Sequence, residues 1–142
     1  MGITFSCGDM YIDCGYGHFF CFRRLLAEKI SSEFFNAYTE PFNCSFVFVK
    51  DKEKFYMDNA KKVLSIAKKL KVPKRLVYFL WECDCDGKCS PTQAKFILRY
   101  ADRFTEKERN YMFGFVNSGN TFQTFIDMCK KSVNEKIFIK WK

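Results

Sequence analysis

The sequence predicts an α+β fold in which a small, mostly antiparallel sheet packs against about five helices, in a single domain spanning residues 1–142. Strand patterns stand near both termini, and helical spacing of apolar residues fills most of the chain between them. A hydrophobic content of 48%, with 18 Phe among 142 residues, is enough for one well-packed core. We expect the sheet to combine strands from both termini with residues 44–49.

The chain begins with the signals of a hairpin and a helix. Residues 3–7 and 10–14 are strand-like and flank Gly8 and Asp9, a pair typical of hairpin turns. Residues 18–38 then repeat apolar side chains at three- and four-residue steps, which predicts a helix. Its apolar seam consists of Phe19, Phe22, Leu26, Ile30 and Phe34.

Arg23 falls within that apolar seam, where a charge is unexpected. If its guanidinium is buried it needs an acidic partner, and Asp13, Asp84 and Asp86 are the candidates for a buried ion pair. Alternatively, its aliphatic stem runs along Phe20 and the charged end reaches water. The sequence leaves both interpretations open.

A long helix is predicted over residues 54–71, and it lies in the most basic part of the chain. Residues 50–75 contain ten Lys or Arg and three acids, whereas the whole chain has a net charge of +8. Apolar residues share one face of this helix and lysines share the other. The lysine face is a candidate nucleic-acid or anion site, although lysine is also common on any solvated helix. Its members are Lys54, Lys61, Lys62, Lys68 and Lys69.

The remaining elements are marked by local signals of different strength. Pro41 is expected to end the first helix, and residues 44–49 are apolar on both sides, which suits a central strand. Residues 74–81 are too short to assign to helix or strand. A turn at residues 117–120 precedes the last helix, and alternation over residues 136–141 predicts a terminal strand.

Two helix starts carry capping boxes. Ser90 with Gln93 opens a helix over residues 90–103, and Thr105 with Glu108 opens the next one. In each pair the first side chain can accept the backbone N–H three residues later, while the second can accept the backbone N–H of the first.

The segment of residues 82–93 has the strongest site signal. Its carboxylates alternate before a glycine and a helix start, which is similar to the ligand spacing of EF-hand calcium loops. We therefore predict a weak site for a divalent cation, calcium or magnesium, because a Glu opens the set and a neutral amide closes it. The candidate ligands are Glu82, Asp84, Asp86, Ser90 and Gln93. A tight turn followed by a capping box explains the same residues without a metal.

The same segment allows other metal chemistry. The acids would suit a metal-dependent hydrolase, although no residue pairs with them as an obvious base. Zinc is a less favoured cofactor, since its thiolate and imidazole ligands would have to come from a set without the usual paired spacing. That set is Cys83, Cys85 and Cys89 with Cys44, Cys129 or His18.

Composition disfavours several classes of protein. No apolar stretch reaches the roughly 18 residues that a membrane span needs, and the N-terminus does not have the pattern of a secretory signal. A cytoplasmic location with reduced cysteines is therefore expected, although residues 1–6 match the loose N-myristoylation pattern. No phosphate loop, dinucleotide fingerprint or nucleophile elbow is present, so catalysis is not favoured.

Two segments resemble small uncharacterised proteins of bacteria and their viruses that carry a Ser-Asp-Cys-Asp-Gly segment. The segments are Met1-Gly2-Ile3-Thr4-Phe5 with Tyr16-x-x-Phe19-x-x-Phe22-Arg23, and Cys83-Asp84-Cys85-Asp86-Gly87 before a helix. They cover about a quarter of the chain, and Cys83 stands where that group has Ser. The resemblance implies kinship of fold and a phage-derived or host-defence origin, with no activity attached.

Three hypotheses of function follow. The favoured one is a small basic binding protein that acts without catalysis through a protein partner. The first alternative is a nucleic-acid binding protein that contacts phosphates through the helix at residues 54–71. The second is a cation-binding protein or metal-dependent hydrolase centred on residues 82–93.

Overall fold

The structure is a computed structural model that describes residues 2–43, 49–111 and 121–142. Within these ranges, four strands and seven α-helices form an α+β fold, which confirms the predicted class and exceeds the predicted five helices. In chain order the elements are β1 (Gly2–Cys7), β2 (Met10–Gly15), α1 (Tyr16–Ile30), α2 (Ser32–Asn43), α3 (Lys52–Lys69), α4 (Lys74–Trp81), β3 (Gly87–Cys89), α5 (Pro91–Tyr100), a 3₁₀ turn (Ala101–Arg103), α6 (Glu106–Tyr111), α7 (Thr121–Glu135) and β4 (Ile139–Trp141).

Two features account for the additional helices. The single helix expected over residues 18–38 is interrupted at Ser31, whose backbone is extended, with φ −171° and ψ 159°. The Ser31 hydroxyl accepts the backbone N–H of Phe34 at 3.0 Å and so caps the start of α2. Residues 74–81, left unassigned by the sequence, form α4.

The strands are all antiparallel and lie in the order β2-β1-β4-β3. β1 and β2 form the predicted hairpin, with Gly8 at φ 61° in its turn. The C-terminal strand β4 lies between β1 and β3. β3 was missed because three residues inside an acidic segment are too few to show alternation. The strand predicted over residues 44–49 falls on positions 44–48, which lie outside the described residues.

Among the residues that the structure describes, helices pack on one face of the sheet only. In β1, Ile3, Phe5 and Cys7 are buried, whereas Thr4 is exposed and Ser6 is half-buried. The inner side chains meet aromatic rings from α1, α4 and α7 in edge-to-face contacts, among them Phe5–Phe19 at 4.9 Å between ring centres. The core therefore lies between the inner face of the sheet and the helices.

α3 packs on α2 beside a backbone carbonyl that a proline leaves unpaired within α2. Pro41 was expected to end a helix but lies inside α2, and its missing N–H leaves the carbonyl of Ala37 without its usual helical partner. The buried side chain of Asn59, in α3, donates to that carbonyl at 2.9 Å. A hydrogen bond between helices therefore replaces one within a helix.

We expect Asn59→Ala to lower the free energy of unfolding by about 1–3 kcal/mol, because the buried Ala37 carbonyl loses its donor. In a Pro41→Ala background the same change is expected to cost clearly less, since the alanine that replaces proline supplies a backbone N–H to that carbonyl. Urea unfolding of the two single variants and the double variant measures this coupling. An equal cost of Asn59→Ala in both backgrounds would show that the carbonyl is not what Asn59 stabilises.

Candidate functional site: the 82–86 loop and the open sheet face

The loop of residues 82–86 joins α4 to β3 and is held from inside by Arg23. The Arg23 side chain is only 4% exposed. Its Nη1 donates to the backbone carbonyl of Glu82 at 2.6 Å, its Nη2 forms an ion pair with the carboxylate of Asp84, and its guanidinium carbon lies 4.4 Å from the centre of the Phe19 ring. Arg23 therefore forms a buried ion pair rather than extending to water along Phe20.

Burial makes this contact costly as well as specific. It lowers the pKa of the Arg23 guanidinium, an effect that Tyr38, Cys83 and Glu82 oppose electrostatically. Because arginine stays protonated in proteins, the folded state keeps a cation in the core and needs the acidic group of Asp84 beside it. The other two acids considered as partners lie elsewhere: Asp13 accepts the Thr4 hydroxyl at 2.6 Å, and Asp86 is exposed.

Trp141 holds the same loop from the sheet side. Its indole Nε1 donates to the carbonyl of Cys83 at 2.8 Å. A Cβ on Gly87 would lie 2.4 Å from the Trp141 ring, so only glycine allows this approach. Gly87, interpreted from sequence as the sharp turn of a cation loop, instead starts β3 and makes room for the tryptophan.

These contacts distribute the five candidate cation ligands over different roles. Asp84 pairs with Arg23, while Ser90 and Gln93 form the predicted capping box at 2.8 and 3.1 Å. Gln93 also donates to the carbonyl of Arg75 at 3.0 Å. Only the side chains of Glu82 and Asp86 contribute to a common groove. Among the described residues, no three His, Cys, Asp or Glu side chains are grouped to hold a metal ion.

The thiols suggested as zinc ligands are divided between surface and core. Cys83 and Cys85 are exposed, whereas Cys89 and Cys129 are buried, and burial raises the pKa of both buried thiols. A raised thiol pKa disfavours the thiolate that zinc requires. Of the other proposed ligands, His18 lies in the first turn of α1, and Cys44 lies outside the described residues.

The five lysines proposed as an anion site also differ from one another. Lys62 pairs with Glu40 at 3.0 Å, and Lys69 pairs with Glu33 at 3.1 Å, both acids being on α2. Lys54 lies near the start of α3 and lines a surface depression together with Asp51, Glu53 and Asp58. Lys61 and Lys68 line a groove of about 520 Å³ together with Lys74, over a floor that includes Leu64 and Val72. We call this feature the α3 groove.

A second basic surface, absent from the sequence-based site predictions, lies on the side of the sheet that no described helix covers. We call it the open sheet face. Its cross-strand row runs from Tyr11 on β2 through Ser6 on β1 and Lys140 on β4 to Lys88 on β3. A groove of about 510 Å³ on this face is lined by residues that include Ser6, Glu82, Asp86, Lys88, Lys140 and Lys142. The alternation at residues 136–141 indicated the outward side of β4, but Lys88 had no signal because β3 was not recognised.

Comparisons with protein-family models, curated proteins and solved structures each give no match. Across the ranges that the structure describes, none of the helices combines the length and the apolar character needed to cross a membrane. Function is therefore inferred from the contacts and surfaces of the molecule.

Asp84→Ala is expected to lower the free energy of unfolding by about 2–4 kcal/mol, because the buried Arg23 cation loses its acidic partner. The figure is below that of a fully buried pair, since the Asp84 side chain is 46% exposed. Asp86→Ala is the matched control in the same loop and should change stability by no more than about 0.5 kcal/mol. Similar losses for the two variants in urea unfolding would contradict the role assigned to Asp84.

Proposed function

We propose that the protein is a non-catalytic binding protein that engages an acidic segment of a protein partner through the open sheet face. The observation that carries the proposal is the direct opposition of Lys88 and Lys140 on neighbouring strands. Like charges placed opposite each other destabilise a sheet. Neither lysine forms an ion pair with a described residue. A carboxylate from a partner, bound between them, would remove this repulsion.

The other side chains on this face favour a protein partner over a nucleic acid. Glu82 and Asp86 line the same groove as the lysines. An acidic protein segment that also contains basic residues can pair with both lysines and both acids, whereas a polymer of phosphates can pair with the lysines alone. Two aromatic side chains are exposed there: Tyr11 at 67% and Phe138 at 43%. The Phe138 ring lies 5.6 Å from the Lys88 ammonium. Aromatic residues are enriched at protein interfaces relative to the rest of the surface.

The test uses a fluorescein-labelled, glutamate-rich peptide as the probe. We expect the double change Lys88→Glu and Lys140→Glu to weaken its binding at least about tenfold, equivalent to about 1.4 kcal/mol, because the two cations that face the carboxylates become anions. Fluorescence anisotropy gives the affinity. Amide chemical shifts of the ¹⁵N-labelled protein locate the site, and they should change mainly in β1, β3 and β4.

Lys61→Glu with Lys68→Glu is the matched control, since it changes the net charge equally but on α3, whose main contacts are α2 and α4. This variant should retain most of the affinity. The proposal is overturned if the wild-type protein does not bind the peptide, or if both double variants lose affinity to the same extent.

A second candidate function is binding of a nucleic-acid backbone in the α3 groove. The observation in its favour is that Lys61, Lys68 and Lys74 line one groove with no acid among its lining residues. By contrast, Lys62 and Lys69 already pair with acids on α2. Lysines that contact phosphates bind without reading base sequence. This candidate therefore implies affinity for duplexes of any sequence.

If the α3 groove binds DNA, changing Lys61, Lys68 and Lys74 to Ala should reduce the slope of log affinity against log salt concentration by about 0.9 for each phosphate that the protein no longer neutralises. A random-sequence duplex in anisotropy titrations at several salt concentrations provides the measurement. Lys62→Ala with Lys69→Ala is the control, and it should leave the slope nearly unchanged. A slope that responds equally to both sets would exclude the groove as the binding site.

A further inference from the structure

Cys83 and Cys85 form a pair of exposed thiols in the 82–86 loop. The chain bends at residues 84–86, and the backbone N–H of Cys85 donates to the Sγ of Cys83 at 3.4 Å. The Cys83 sulfur therefore lies next to the backbone nitrogen of Cys85, which is two bonds from the Cβ that carries the second sulfur. The bend thus places the Cys83 sulfur against the backbone of Cys85.

The loop is held so that these thiols face solvent. Arg23 binds the Glu82 carbonyl and the Asp84 carboxylate, and Trp141 binds the Cys83 carbonyl. These polar groups point inward, which leaves the side chains on either side of Asp84 on the outer surface. The position of the pair is therefore fixed by contacts to the core rather than by the thiols themselves.

The other thiols of the described residues are less accessible. Cys21 is half-buried, and the rest are buried: Cys7, Cys14, Cys89 and Cys129. Burial raises the pKa of each of these four thiols. A buried thiol that resists deprotonation is a poor nucleophile. Within the described residues, reaction with a dissolved disulfide is therefore expected first at Cys83 or Cys85.

We propose that Cys83 and Cys85 form a thiol–disulfide exchange site for small-molecule disulfides of the glutathione class. The thiolate of Cys83 attacks one sulfur of glutathione disulfide, which breaks that disulfide, and the departing thiolate takes up a proton. The thiolate of Cys85 then attacks the Cys83 sulfur of the mixed disulfide and releases the second glutathione thiol. The two cysteines lose two protons and two electrons in total, and the small disulfide gains them.

The contact of the Cys83 sulfur indicates which thiol attacks first. This sulfur accepts the backbone N–H of Cys85 at 3.4 Å, so its position in the loop is fixed before a small disulfide arrives. The geometry therefore favours Cys83 as the attacking thiol and Cys85 as the resolving one. A disulfide between residues two apart closes a short ring, and strained disulfides are readily reduced, so the exchange is reversible.

The test exposes the reduced full-length protein to glutathione disulfide, blocks the remaining thiols by alkylation, and measures intact mass and peptide masses. The wild-type protein should lose two hydrogens, and the link should map to Cys83 and Cys85. Cys85→Ser should instead retain one glutathione on Cys83, because the resolving thiol is missing. Cys83→Ser should react more slowly than Cys85→Ser. Cys21→Ser is the matched control and should behave as the wild type does.

Both substituted side chains are exposed, so the variants are expected to fold, and circular dichroism verifies this. Treatment of the oxidised wild-type protein with dithiothreitol should restore both hydrogens. The proposal is overturned by stable glutathione adducts on both cysteines of the wild type, by a link that involves any other cysteine, or by no reaction. Equal reaction rates of Cys83→Ser and Cys85→Ser would overturn the assigned order of attack.

Discussion

The buried guanidinium of Arg23 is the constraint on which the rest of the structure depends. It lies in α1, but its partners are the Glu82 carbonyl and the Asp84 carboxylate, about sixty residues later in the chain. A cation in the core is tolerable only when it is paired and hydrogen-bonded. Folding of α1 into the core therefore requires the 82–86 loop to take one position, and that position places β3 beside β4.

The placement of β3 determines the character of the open sheet face. Without β3, Lys140 would stand alone on the edge strand β4; with it, Lys88 lies directly opposite. The sheet is stabilised on its inner face by rings such as those of Phe5 and Trp141, 5.5 Å apart. The described helices pack on the inner face, and Lys88 and Lys140 on the outer face are exposed.

Signals that are local in sequence predicted local structure well. Contacts between segments that are distant in sequence could not be predicted in the same way. The capping box of Ser90 and Gln93 is confirmed because both residues belong to one helical turn. The prediction for Pro41 was wrong because a side chain from α3 supplies the hydrogen bond that α2 alone lacks. The sequence left open whether Arg23 pairs with an acid or extends to water. The pairing with Asp84 could not be chosen from sequence, since it depends on where α4 ends.

The same contact of Asp84 with the core bears on the cation-loop interpretation. The spacing of the acidic residues in the 82–86 loop suits a cation site only if each carboxylate is free to turn towards the same ion. Here the inward side chain, Asp84, is held by the core, and its neighbours Cys83 and Cys85 are left outside. Asp84 therefore has a structural role in this loop, whereas Cys83 and Cys85 are accessible for reaction. Of the motif residues, Asp84, Ser90 and Gln93 therefore stabilise the fold, and the cysteines on either side of Asp84 carry the exposed chemistry.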